Sequence, residues 1–183
     1  MGHRFWQVVS PAGVAVAAGF FYLVYEARAG ALGFPLDDAW IHLQFARNLS
    51  QGDGFSFNAG QAAAGSTAPL WTLLLALLHA VWADPILPVK ILGIALHGLS
   101  AGLSAWLARL VGLGRWAIWL AALGVALTPR LLWGSVSGME IPLYTALATA
   151  GVALHLAGWR VQEHKGFALG VAACFALATL TRP

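Results

Sequence analysis

Charge is what this chain has least of. Ten Lys and Arg and seven Asp and Glu make up 9% of its 183 residues, where a soluble globular domain carries roughly 25%. A water-soluble domain is therefore excluded, and 60% hydrophobic residues with a mean hydropathy of +0.75 indicate an integral membrane protein. The basic residues are scattered singly and leave a net charge of only +3, so no basic patch suits nucleic acid. A single cysteine, Cys174, lies in an apolar run. That excludes an internal disulfide, and the residue reads as a small core side chain. Internal repeats, low-complexity tracts and a soluble domain are also missing.

What is present is a series of apolar runs, each weighed against the ~20 residues that a membrane span needs. Five spans are expected, over about residues 5–29, 89–110, 116–132, 143–159 and 167–181, giving an all-α, polytopic membrane helix bundle. The first exceeds the 7–15 apolar residues of a secretory signal and reads as a retained helix. Residues 69–82 are apolar but cover only ~21 Å against a hydrocarbon core of ~30 Å, so this segment is expected to be re-entrant or interfacial. Asp84, Pro85 and Pro88 are expected to break it from the next span. Gly98 and Gly102 have the spacing that lets helices approach closely. Trp6, Trp40, Trp71, Trp82, Trp116, Trp133 and Trp159 fall mostly near span ends, as an aromatic belt requires.

Positive charge sets the expected topology, because cytoplasmic loops collect Lys and Arg. With Arg4 in the cytoplasm and residues 69–82 not crossing, the Arg109/Arg115 and Arg160/Lys165 connectors also fall there. Residues 30–68 then form an extracytoplasmic loop, and the connector carrying Glu140 emerges on the same face.

That loop holds the adjacent acids Asp37 and Asp38. They open a segment in which Ile41, Phe45 and Leu49 recur at helical spacing opposite Arg47 and Asn48, an amphipathic helix expected along the membrane surface. Acids in a first turn cap a helix and complement its dipole. Two side by side also repel, and with partial burial one is expected to take up a proton more readily, which suits a general base. His42, one turn after Asp38, is placed to orient that carboxylate or to meet a phosphate. These side chains do not offer enough ligands at workable spacing for a metal site, and no metal is assigned. Glu140 has two readings. Ser137-Gly138-Met139-Glu140 fits a capping box, whereas Pro142 two residues on starts a helix near Glu140 and leaves its carboxylate at the mouth. Arg47, Lys90, Arg130 and Arg182 are the candidate cations for an anionic headgroup, and Trp71 and Trp40 flank the loop where either can stack on a sugar.

The order DDAWIHLQFARNLSQGDGFSFNAGQ, GSTAPLWTLLLAL, SGMEIPLY and LATLTRP resembles the N-terminal transmembrane module of glycosyltransferases of the GT-C fold, in particular the arabinofuranosyltransferase-like branch. The resemblance spans nearly the whole chain and implies inverting transfer, on the extracytoplasmic face, from a polyprenyl-phosphate sugar donor to a glycan, lipid or protein acceptor of the cell envelope. It implies no cofactor. Asp37 or Asp38 would take the acceptor's proton, Glu140 would help to form the site, and Arg182 would contact the phosphate. The likeness departs at Gln61 and Ala64, where the loop commonly carries acids. Such enzymes also continue for several more spans, so the remainder of the enzyme is expected beyond Pro183. Two readings compete: a small transporter or lipid-handling protein, to which inverted repeats would point, and a non-catalytic membrane subunit, in which the acids would be dispensable.

Overall fold

The computed structural model describes residues 2–162 and 164–182, with the side chains of residues 2–7 and of His164 outside that description. The expectations resting on the Arg4 and Trp6 side chains and on Pro183 thus lie outside the described residues. The described chain is helical, with no strand: α1 (Gly2–Arg28), α2 (Asp37–Gln51), α3 (Pro69–Val81), α4 (Ile86–Leu110), α5 (Arg115–Leu127), α6 (Pro129–Val136), α7 (Ile141–Val161) and α8 (His164–Thr181).

Three helices, over Val8–Arg28, Ile86–Leu110 and Ile141–Val161, are long and apolar enough to cross a membrane. The expected span over 116–132 is instead α5 and α6, bent by 50°. Pro129 causes the bend: it lacks an N–H and drives Thr128 into extended backbone, φ −62° and ψ 117°. Counted as one, this pair brings the candidate spans among the described residues to four. The expected fifth, α8, is a shorter apolar helix over Lys165–Thr181, about 26 Å long at 1.5 Å per residue. Pro88 does not break α4. It sits in the first turn, where its missing N–H has no helical partner to lose, and Asp84 Oδ1 accepts from Ile86 N at 3.1 Å.

Helix α4 is the axis of the bundle. Gly98 lies against Ala12 and Val16, Gly102 against Val8 and Ala12, and Gly19 against Ile94, so α1 and α4 run antiparallel. A Cβ on Gly93 would stand 2.0 Å from the Ser135 carbonyl oxygen, which shows how closely α6 approaches. The broken span exposes backbone carbonyls that apolar surroundings cannot satisfy, and α4 supplies both partners. His97 Nε2 donates to Ala126 O at 3.0 Å, just before the bend, and Lys90 Nζ donates to Val136 O at 2.7 Å, where α6 ends.

Lys90 also donates to Glu26 Oε2 at 2.9 Å, near the end of α1. This corrects the expectation for Lys90 as a headgroup cation: it is wholly buried and committed to Glu26 and the Val136 carbonyl. The pair also shows how the chain runs between these helices. The end of α1 and the start of α4 lie together, so residues 29–85 leave and rejoin the bundle at one end, and α3 does not carry the chain through it. Arg109, Arg115 and Arg160 gather at the other end, where the Arg160 guanidinium reaches the Gly112 turn.

Candidate acid–histidine–arginine site

Residues 29–85 form a cap over the end of the bundle, built on α2 and α3. The buried stripe of α2 is Ala39, His42, Phe45, Ala46 and Asn48. This corrects the sequence reading: Ile41 and Leu49 are only partly buried, and Asn48 points inward. Its Nδ2 donates to Ser56 O at 3.0 Å and to Phe57 O at 2.8 Å, folding the glycine-rich turn back on α2, while Phe45 packs on Phe55 and Phe57.

Glu140 is the N-cap of α7, with Pro142 in the first turn. The capping box does not form, because Ser137 Oγ donates to Gly134 O and accepts from Met139 N, one residue short of Glu140. The Glu140 side chain is free to point into the interior, where it is 5% exposed. Oε1 lies 4.0 Å from Arg182 Nε and Oε2 lies 3.8 Å from His42 Nε2. Both distances are too long for direct hydrogen bonds, and Oε2 has no hydrogen-bond partner.

His42 is held from its other side. Nδ1 meets Ser66 Oγ at 2.9 Å, and Ser66 Oγ meets Thr72 Oγ1 at 2.7 Å. If Thr72 donates to Ser66 and Ser66 to His42 Nδ1, the ring carries its proton on Nε2, facing the carboxylate. That is the order electrostatics favours. Burial pushes the His42 pKa below 6.5; the charges of Glu140 and then Asp38 pull it upward without cancelling the burial. Burial thus favours the neutral ring, and in that tautomer Glu140 faces an N–H dipole rather than a full positive charge.

Asp37 and Asp38 are both exposed, in the first turn of α2, and neither caps it through a side-chain hydrogen bond. The burial expected of them belongs to Glu140. Asp38 remains electrostatically linked to His42. Arg182 is 62% exposed and reaches Glu140 from the end of α8. Arg47 instead faces a groove with His79 and Asp84, away from this cluster, and Arg130 is exposed in the first turn of α6. Trp71 is no sugar platform. It is fully buried, and its Nε1 donates to Gly138 O at 2.9 Å. Trp40 is 43% exposed, its ring tilted against Phe34 with its Nε1 donating to Phe34 O.

Trp71 and Phe34 hold the turn before Glu140. Gly138 has φ +81°, and a Cβ there would stand 2.5 Å from the Phe34 ring. Trp71→Phe keeps the packing and orphans the Gly138 carbonyl, with an expected loss of about 1–3 kcal/mol. Detergent-denaturation midpoints check this, and an unchanged midpoint would show that the bond does not hold the turn.

Sequence reasoning missed Ser66 and Thr72 as partners of His42, although both stand in the GSTAPLWT stretch. It also missed the Glu26–Lys90 pair, whose members are 64 residues apart. Together these features define a helical bundle, with apolar helices able to cross a membrane, that carries an acid–histidine–arginine cluster at one end. Comparison of the chain with protein-family models, curated proteins and solved structures gives no match.

Proposed function

We propose that this chain is a membrane glycosyltransferase module of the GT-C type, which transfers a sugar from a polyprenyl-phosphate donor to an envelope glycan, lipid or protein acceptor with inversion. One observation carries the reading: Glu140 Oε2 is a buried carboxylate oxygen with no hydrogen-bond partner, in a cluster with His42 and Arg182 beside the apolar bundle. A buried carboxylate without a donor costs free energy, and a substrate hydroxyl supplies the missing donor. The order of the four motifs gives this cluster its reaction class.

In the proposed reaction Asp38 or Asp37 takes the proton of the acceptor hydroxyl as its oxygen attacks the anomeric carbon. The bond from that carbon to the phosphate oxygen breaks, and the lipid phosphate leaves with the electron pair. Glu140 accepts a hydrogen bond from a sugar or acceptor hydroxyl, and the exposed guanidinium of Arg182 contacts the phosphate as it gains charge. Leu73, Leu77 and Val81 form an exposed apolar stripe at i, i+4 and i+8 on α3, a surface suited to the polyprenyl chain or the bilayer. By the positive-inside rule the Arg109, Arg115 and Arg160 end is cytoplasmic, so the acid site faces the extracytoplasmic side of an inner membrane.

Asp37→Asn and Asp38→Asn, assayed for release of polyprenyl phosphate in membranes carrying the protein, test this. The variant lacking the base is expected to lose about 10²–10⁴-fold in turnover, with Asp38 the stronger candidate because its charge reaches His42. Full turnover in both variants would sink the assignment.

A further inference from the structure

Glu140 Oε2 and His42 Nε2 face each other across 3.8 Å, in residues that are 5% and 2% exposed, and Oε2 has no hydrogen-bond partner. What fits between them depends on whether Nε2 carries a proton. The hydroxyl chain behind the ring decides that.

Ser66 Oγ has three polar neighbours: Ala68 N donates to it at 3.4 Å, His42 Nδ1 lies at 2.9 Å and Thr72 Oγ1 at 2.7 Å. A hydroxyl has one hydrogen and two lone pairs. The Ala68 amide takes one lone pair, so a neutral ring leaves two arrangements. In the first, Nδ1–H donates to Ser66 and Ser66 donates to Thr72. The Thr72 hydrogen then has no acceptor among the described residues, in a residue with no exposure, and the Nε2 lone pair confronts the carboxylate. In the second, Thr72 donates to Ser66 and Ser66 donates to Nδ1. Every hydrogen of the chain is then placed, and Nε2 presents its N–H to Glu140. Leaving a buried donor unpaired is the costlier choice, so the second arrangement wins.

A fixed donor and a fixed acceptor 3.8 Å apart are too distant to bond each other. They are well placed to share a third group, because an oxygen about 2.8 Å from each closes the gap. That oxygen has to accept from Nε2–H and donate to Oε2. A hydroxyl does both, whereas ether, carbonyl and ionised phosphate oxygens only accept and an ammonium only donates. We infer that the gap between His42 and Glu140 is a slot for one sugar hydroxyl, and that Ser66 and Thr72 are positioning residues that set its selectivity by holding the ring's proton on Nε2. The step from hydroxyl to sugar rests on the proposed transferase reading. Arg182 stands 4.0 Å from the other oxygen of Glu140, so a sugar phosphate can reach both slot and guanidinium, and a neutral glycoside the slot alone.

The test is nitrogen NMR of the histidine rings in the full chain, held in an amine-oxide detergent that has no hydroxyl of its own and with His42 assigned from its loss in His42→Gln. The neutral wild-type ring is expected to be protonated on Nε2; a proton on Nδ1 overturns the proposal. Thr72→Val keeps the shape and removes the hydroxyl, so part of the population is expected to move its proton to Nδ1, and Thr72→Ser is expected to keep the wild-type signal. A packing role would give the reverse, with Val tolerated and Ser not, and would overturn the assignment.

Anomeric phosphates and methyl glycosides of a set of hexoses and pentoses serve as probes. At least one is expected to move the Nε2 signal saturably, with one of its monodeoxy analogues binding about 10-fold or more weakly and that discrimination shrinking in Thr72→Val. Tighter binding of the phosphates assigns the hydroxyl to the donor, and tighter binding of the glycosides to the acceptor. A signal that no sugar moves would mean that the slot holds only water, and monodeoxy analogues that all bind like their parents would mean that it reads no hydroxyl; either result overturns the proposal. The two readings fail separately. Absent discrimination with Asp37 or Asp38 still essential for turnover sinks the slot alone, and discrimination with full turnover in both aspartate variants sinks the transferase reading alone.

Discussion

Glu140→Gln is expected to keep the fold and lose turnover by about two orders of magnitude or more, within the range for groups that engage a reacting hydroxyl. The substitution preserves shape and one acceptor oxygen but removes the negative charge buried beside His42 and Arg182. It also replaces the oxygen without a partner by an amide or carbonyl of fixed polarity. Histidine titration distinguishes loss of charge from loss of structure. The His42 pKa already lies below 6.5 through burial, with Glu140 the larger of two charges opposing the shift. Removing Glu140 therefore moves the titration to still lower pH. A histidine with a depressed folded pKa contributes its stability above the unfolded value of about 6.5 and loses it as pH falls through the folded pKa. In the Gln variant that loss extends further into acid. NMR of the His42 ring checks the shift, and an unmoved midpoint would mean that Glu140 does not face the imidazole as described.

Lys90→Met is the second large effect, and it acts on stability. Lys90 is fully buried and donates to both Glu26 and the Val136 carbonyl. Removing it strands a carboxylate that is only 12% exposed, along with the last carbonyl of α6. Breaking such a pair costs about 3–5 kcal/mol, and the residual exposure of Glu26 points to the lower end. Adding Glu26→Leu removes the stranded charge, so the double variant is expected to recover more than half of the loss. Unfolding midpoints of the two single variants and the double variant in detergent decide the matter. A single-variant loss under about 1 kcal/mol, as for an exposed pair, would show that water reaches Glu26.

These two side chains also mark the limits of sequence reading. The helices were legible because long apolar runs declare themselves, and the shortness of residues 69–82 reappears in α3, an apolar helix of 13 residues. The bend at Pro129 was less visible, because the apolar run continues through it while the backbone does not. The partners of His42 and Lys90 were not legible. Helical periodicity ranks faces of one helix, but these contacts join side chains 24 and 64 residues apart across helices. The same blindness led to Trp71 being read as a platform, since a tryptophan at a span end has the same sequence signature whether its indole faces a ligand or a carbonyl. Conversely, Glu140 was legible as a site candidate because a lone carboxylate between apolar runs is costly wherever it lies.

The meeting of Glu26 with Lys90 has one more consequence. With the end of α1 and the start of α4 joined there, those two helices form a hairpin, and residues 29–85 are an insert spliced into its tip. Chain length in such an insert has only a logarithmic effect on closure entropy, so its turns can lengthen, shorten or be replaced while the register between α1 and α4 stays fixed. Length changes are tolerable only in the turns of that insert that do not carry Phe34, His42 or Trp71, because these three side chains tie it to Glu140 and to the turn before it.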